Sequence, residues 1–411
     1  MPATETQTPA PAGARQRRLL VVSYDYRPRL GGVATCAYEL SRGLSGLPGV
    51  TLRLLAPSMP GAEAFDAHGH FETGRRPLPA IAVRAIPPLA RWIRAEARRF
   101  RPDAVLCLLW HPCGIAARLA LPRWSRLGRP QLVMAHGVEV METRSTLRKR
   151  LRGMMAPLKR HVLREAAAVL PVSRYTAGLV IAAGALPGRV HVVHNGVDLL
   201  RFSPGPPAPD LAARYGTSGR RVLLTVARLV PHKGMDRALG ALARVIRTHP
   251  EVLYIIGGEG PDRARLESIA SRLGLENHVV FAGPVPPDRL ADHYRLADCF
   301  LLLTREDRAT PNVEGFGLVF LEAAACGKAS IAGRSGGIPD AVADGESGWL
   351  VDPEDEAAIA AAMTGALDDP AALARMGLRA RARAGRDFTW DAVARRVVAA
   401  LERADRPPAH D

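Results

Sequence analysis

The sequence predicts an α/β protein built from two doubly wound domains, and three observations lead there. Short apolar strands alternate with amphipathic helical stretches along nearly the whole chain, the rhythm of a mostly parallel sheet. That rhythm breaks at a proline-rich segment near the middle and then restarts. The chain has 411 residues, too many for one ordinary core and enough for two. No self-similar unit of about 20–50 residues recurs, which excludes a solenoid.

Taken in order, residues 1–16 form a Pro/Ala/Thr-rich tail expected to be disordered. The first domain, 17–196, opens with a strand at 19–23, a loop at 24–32 and a helix at 33–44. Further strands are expected at 51–56, 104–109, 131–135, 168–171 and 190–193. Residues 197–220 carry Pro204, Pro206, Pro207 and Pro209 with Gly205 and are expected to be a linker. The second domain, 221–388, repeats the pattern with strands at 221–227, 252–256, 279–282, 299–303 and 329–332. Its helices are expected at 235–247, 262–273, 288–296 and 316–326, with a long loop at 304–315. The segment 389–411 holds a last helix, 390–403, expected to pack back toward the first domain. Ligands of such sheets sit beyond the carboxyl ends of the strands, and two facing domains would place a cleft there.

Hydrophobic residues make up 47% of the chain and charged residues 23%, ordinary values for a soluble globular protein. No apolar run approaches the roughly 18 residues of a membrane span. Residues 19–22 are too few for a signal-peptide core. The five cysteines are scattered, with no zinc-type spacing, so a reducing, cytoplasmic location is expected and a disulfide or metal site is not. The net charge of +16 is unevenly spread. Residues 1–200 hold 29 Lys and Arg against 12 Asp and Glu; residues 201–411 hold 27 against 28, so all of the excess lies in the first half. One domain is therefore expected to face something anionic.

The residues that carry chemistry cluster in the second half. Glu314-Gly315-Phe316-Gly317 opens a helix that continues to Glu322. The glycines let backbone N–H groups approach an anion at the helix start. The two glutamates lie at most about 12 Å apart along the axis, able to grip hydroxyls at both ends of a nucleotide sugar. Taken alone, the pair also reads as a capping Glu and a surface Glu. Arg228 and Lys233 follow a strand and precede a helix at Gly234, a setting that suits a diphosphate, although an isolated pair also reads as solvated. Gly257-Gly258-Glu259-Gly260 is another tight turn on the same rim. It lacks the last glycine of G-x-G-x-x-G, because Asp262 stands there, and dinucleotide binding loses support.

In the first half, Pro28 to Val33 forms a glycine loop between the first strand and its helix, readable also as a plain βα turn. His136 follows the strand 131–135 and is itself followed by Gly137. A lone histidine is commonly structural, but this one stands at the carboxyl end of a strand.

Together these stretches resemble the family 4 retaining glycosyltransferases of the GT-B fold. Val226 to Gly234, Ile256 to Gly260, Val280 to Gly283, Glu314 to Glu322, Ser335 to Asp340 and Gly345 to Leu350 match in the expected order and cover the whole second half. The resemblance implies that Arg228 and Lys233 bind the donor diphosphate. It implies that Glu314, with Gly315, Phe316 and Gly317, holds the donor sugar, and that Glu322 holds the ribose. Gly283 and Val285 would line the nucleobase pocket. Gly31 and Gly32 would approach the phosphates, and His136 would stand near donor sugar and acceptor. Val172-Ser173 and His194 to Asp198 also match, the latter as the hinge between domains.

Val313 to Lys328, Ala332 to Gly337 and His136 to Val140 are similar to the GDP-mannose-dependent α-mannosyltransferases that elongate phosphatidylinositol mannosides. A departure is Ala329-Ser330, where the family often has Pro-Val.

The resemblance further implies transfer of a hexose from a nucleotide sugar with retained configuration, no metal and no other cofactor. The acceptor would be a lipid-linked or glycan hydroxyl. The alternatives are a UDP-sugar donor with a soluble acceptor or, in a different class, a GT-B epimerase or phosphorylase or a non-catalytic basic nucleotide-binding protein. A dehydrogenase lacks its glycine fingerprint here, a GT-B phosphorylase its pyridoxal-phosphate lysine, and nucleic-acid binding a recognition motif. Finally, Arg91, Arg94, Arg98 and Arg101 share a helical face with Trp92, Ile93 and Phe100 among or beside them. Residues 145–164 combine an apolar stripe (Leu147, Leu151, Met154, Leu158, Val162) with seven Arg and Lys. Two basic amphipathic segments in the basic half lead us to expect peripheral association with an anionic membrane surface.

Overall fold

The computed structural model describes residues 16–405 except 68, 123–124, 138, 142–145 and 307–311; the side chains of 146–154 also lie outside it. The chain divides into two units, the first comprising residues 17–196 with the final helix from Trp390, the second 197–389.

The first unit is built on six strands: β1 Arg17–Val22, β2 Val50–Pro57, β3 Glu72–Arg76, β4 Ala104–Cys107, β5 Gln131–Ala135 and β6 Ala168–Pro171. Every pairing is parallel and the order is β3-β2-β1-β4-β5-β6. Helices cover both faces, so the central strands read as near-continuous apolar runs such as Ala-Val-Leu-Cys in β4, buried throughout. β3 is an edge strand of sequence Glu-Thr-Gly-Arg-Arg; with one neighbour and no apolar run, it left no hydrophobic signal to read. The strand expected at 190–193 does not form. Val190 makes a single bridge to Val169, and His191 and Val193 donate to the carbonyls of Val169 and Pro171.

The helix Ala82–Phe100 buries Leu89, Trp92, Ile93, Ala97 and Phe100 in the core of this unit and leaves Arg91 and Arg98 exposed. Arg94 donates to the carbonyls of Leu119 and Ala120, satisfying the end of the helix Ile115–Ala120. Its apolar face is therefore core, which corrects the expectation that it could lie in a membrane interface. In the helix Thr146–Glu165, Val162 is buried and Met155 and Leu158 pack on the same core. Leu147, Leu151 and Met154, with Arg148, Lys149, Arg150 and Arg152, lie outside the described side chains. The helix Trp390–Asp405 packs on the helix Gly32–Ser45, where Gly43 leaves room for the Trp390 carbonyl.

The second unit repeats the plan with β7 Arg221–Val226, β8 Val252–Gly257, β9 Val279–Gly283, β10 Cys299–Leu302, β11 Ala329–Gly333 and β12 Gly348–Val351, again all parallel. The order β12-β11-β10-β7-β8-β9 is the order of the first sheet read from its other edge. β12, four residues between the Gly345 turn and Asp352-Pro353, was not expected from the sequence. Residues 197–220 belong to this unit and carry the helix Pro209–Tyr215, whose Tyr215 hydroxyl meets His293 Nε2 at 3.1 Å. In each sheet the strand order reverses between the first and fourth strands, β1 and β4 or β7 and β10. Ligands of doubly wound sheets bind at such a switch point.

Candidate active site

In the second unit, the switch point is assembled by glycines that admit backbone where a side chain would collide. A Cβ on Gly258 would run into the Ala227 carbonyl oxygen, and one on Gly260 into that of Leu229. Leu229 N–H donates to Glu259 O at 2.8 Å. The Gly257–Gly260 turn is therefore a clamp on the segment that carries Arg228. Arg228 itself is exposed and has no ion-pair partner among the described residues.

The chain then makes a short turn, Pro231–Lys233, and enters the helix Met235–Val245 through Gly234, whose φ of +76° favours glycine. A Cβ there would strike the Leu303 carbonyl just past β10. Arg305 N–H donates to His232 O at 2.9 Å, and the Arg305 guanidinium grips Asp236 with two bonds of 3.0 and 3.1 Å. The segments after β7 and β10 are thus zipped together, and Lys233 Nζ reaches Glu314 Oε2 at 2.6 Å.

Glu314 is held by its own backbone as well: Gly337 N–H donates to its carbonyl at 2.9 Å. Gly315 follows, and Gly317, at φ +94°, turns the chain into the helix Leu318–Ala325. Phe316 was expected among the donor-contacting residues, but its side chain is buried 5.8 Å from the Phe388 ring. Only its backbone is left for a ligand, because the aromatic ring is needed to seat the loop on the core. Glu322, one turn into the helix, accepts a 2.8 Å hydrogen bond from the buried Tyr294 hydroxyl. On the β9 side, Gly258 N–H donates to Gly283 O at 2.6 Å, and Val285 packs over Gly257. Two hydroxyls at the ends of neighbouring strands, Thr304 Oγ1 and Ser335 Oγ, are buried without a hydrogen-bond partner among the described residues.

Sequence reasoning missed Tyr294, Arg305 and Asp236. Their contacts join residues 28 and 69 positions apart, and no local periodicity encodes such pairs.

In the first unit, Gly31 and Gly32 are exposed at the start of the helix Gly32–Ser45. Gly31 has φ +150°, open space where a Cβ would sit, and no acidic residue follows in the first turn. The uncapped N–H groups and the positive end of the helix dipole suit an anion. His136 is half-buried beyond β5. Its N–H donates to Glu139 Oε1 at 2.6 Å, and Nε2 lies 3.0 Å from Leu108 O. A carbonyl only accepts, so Nε2 carries the proton and Nδ1 the lone pair. Burial lowers the pKa of His136, outweighing the nearby Glu139, and the ring is neutral at pH 7.

Twin doubly wound domains with cations and a carboxylate at a switch point suit a phosphorylated ligand, and comparison with known proteins supplies the class. Residues 30–201 match Glycosyltransferase Family 4 and residues 210–383 match Glycosyl transferases group 1. The chain is 34% identical over 383 residues to the GDP-mannose-dependent alpha-(1-6)-phosphatidylinositol monomannoside mannosyltransferase of Mycolicibacterium smegmatis, covering 90% of this chain and 95% of that one. It is 36% identical over 341 residues to the D-inositol 3-phosphate glycosyltransferase of Acidothermus cellulolyticus, covering 77% and 71%. Among solved structures, Anabaena Alr3699/HepE in complex with UDP superposes with a TM-score of 0.76 at 20% identity, over 94% of this chain and 100% of that one. A glycosyltransferase from Rickettsia africae gives a TM-score of 0.77 at 17% identity, over 95% and 98%. The chain belongs to the family 4 glycosyltransferases, with the GT-B fold and the retaining chemistry of that family.

Proposed function

We propose that the protein transfers mannose from GDP-mannose to a hydroxyl of a lipid-linked acceptor, with phosphatidylinositol mannosides as the acceptor class. The observation that carries the transfer reading is the Lys233–Glu314 pair beside Arg228 at the β7/β10 switch point. The donor and acceptor rest on the relatives that share a third of their residues with nearly the whole chain.

In this reading Arg228 and Lys233 hold the donor diphosphate, Glu314 a sugar hydroxyl and Glu322 the ribose. Gly283 and Val285 border the nucleobase. The Gly31 and Gly32 amides of the first unit offer N–H groups suited to a phosphate, and Thr304 and Ser335 offer hydroxyls that have no partner among the described residues. Reaction proceeds on one face of the sugar: the bond from the anomeric carbon to the diphosphate oxygen breaks as the acceptor oxygen bonds from the same side. The departing oxygen takes the acceptor proton. The protein then contributes charge stabilisation, each well-placed donor on the developing diphosphate being worth roughly 3 kcal/mol. No metal is required, because Arg228, Lys233 and helix N-termini neutralise the leaving group. His136, neutral and with Nδ1 as an acceptor, positions a hydroxyl rather than serving as an obligatory base.

A thermal-shift series with GDP, UDP and ADP tests the donor assignment, since a ligand that binds only the folded chain raises the melting temperature by mass action. The largest rise is expected with GDP. A larger rise with UDP would move the donor to a UDP-sugar.

A further inference from the structure

We propose that Tyr294 is a positioning residue for the donor nucleotide, its hydroxyl fixing the Glu322 carboxylate in the orientation that grips the ribose. The proposal rests on the reading of Glu322 as the ribose-holding acid. A glutamate on a helix surface swings on two methylenes through several rotamers, and a carboxylate that must meet two adjacent hydroxyls needs one of them. Tyr294 supplies a reason for one to be chosen. It lies in the helix Leu290–Leu296, fully buried, and its hydroxyl donates to Glu322 Oε2 at 2.8 Å. Burial first, and the Glu322 charge next, raise the pKa of the phenol well above its ordinary value. The hydroxyl therefore stays protonated at any working pH and donates to the carboxylate.

The ring that carries this donor cannot drift. It meets Phe202 edge-on at 6.0 Å and Phe300 at 5.6 Å, and Phe300 meets Phe320 at 5.5 Å with the planes nearly perpendicular. Phe320 stands two residues before Glu322 on the same helix, so one aromatic stack sets both the helix and the donor that orients its acid. The hydroxyl is directed at the single carboxylate on the helix Leu318–Ala325.

Tyr294→Phe deletes the hydroxyl and keeps the stack, so the protein should fold as before. The experiment is calorimetric titration of wild type, Tyr294→Phe and Glu322→Ala with GDP and with 2′,3′-dideoxy-GDP, and with the matching UDP pair in parallel. Tyr294→Phe should weaken the ribonucleotide about tenfold or more, the scale of one hydrogen bond to a charged group. It should leave the dideoxynucleotide unchanged, since no sugar hydroxyl is there to be gripped. Equal weakening of both nucleotides, or no weakening of either, would overturn the proposal and leave Tyr294 a packing residue. If Glu322→Ala keeps the full preference for the ribonucleotide, the ribose reading of Glu322 fails first, and the role of Tyr294 falls with it.

Discussion

Lys233 and Glu314 neutralise each other at 2.6 Å, and a nucleotide sugar that uses both must separate them. In the proposed reading the diphosphate takes the ammonium while a sugar hydroxyl takes the carboxylate, so each of these ligand contacts is made in exchange for an existing one. Two outcomes follow for Glu314→Gln. Turnover should fall by roughly a hundredfold, as for the loss of a transition-state contact. Binding of the nucleoside diphosphate product should hold or tighten, because Lys233 no longer has an anionic competitor. Arg228→Ala should do the opposite to the product, weakening it by about 2 kcal/mol or more, since Arg228 has no ion-pair partner among the described residues to give up. Calorimetry on the purified variants reads both effects, and identical product affinities in wild type and Arg228→Ala would place that arginine in solvent.

His136 adds a pH dependence at the same scale. Its pKa is lowered in the folded state, so the unfolded chain binds the extra proton more readily. Stability from this group is full above the unfolded value of about 6.5 and is lost as pH falls below it. His191 and His293, also lowered by burial, act in the same direction. The melting temperature should decline from pH 7 to 5, and less steeply in His136→Gln. A slope unchanged by that substitution would show that the ring is not held neutral.

The elements around these residues were legible to different degrees, for physical reasons. Strands buried on both faces were readable because they leave an apolar run, and Gln131–Ala135 inside the sheet and Ala168–Pro171 at its edge both carry their expected bounds. Two edge strands were not: β3 has polar residues because solvent lies on one side, and β12 is short. Of the site, Arg228, Lys233, Glu314 and Glu322 were marked by glycines and helix starts nearby. What the sequence could not say is that Gly234, Gly258 and Gly260 are contact points between strand ends rather than turn-formers alone. This gives a prediction at the level of the element. Gly258→Ala must either move the Ala227 carbonyl or leave φ near +135°, and overpacking of this kind costs about 1–3 kcal/mol. Its melting temperature should drop, and its affinity for nucleoside diphosphate should drop with it, because Arg228 shifts. A stable variant with unchanged affinity would detach the glycine turn from the site.

For the whole molecule, the uneven charge gains a sharper meaning from the fold. Most apolar residues of the helix Ala82–Phe100 lie in the core, with Val83 exposed in its first turn, so along its length this helix meets an anionic surface through its exposed arginines. Association of that kind is electrostatic, with about 1 kcal/mol from each basic residue near the surface and release as salt screens the attraction. Sedimentation with anionic vesicles at low salt, and loss of it at high salt, is the expected behaviour; binding that survives high salt would require an inserted apolar element instead. The central claim concerns chemistry, and one measurement addresses it directly. Purified protein is incubated with GDP-mannose and phosphatidylinositol monomannoside in detergent, and the new glycosidic bond is read by NMR. The account predicts a transferred mannose in α linkage, the configuration it had in the donor. A β-linked product, or GDP release without any transfer to the lipid, would contradict it.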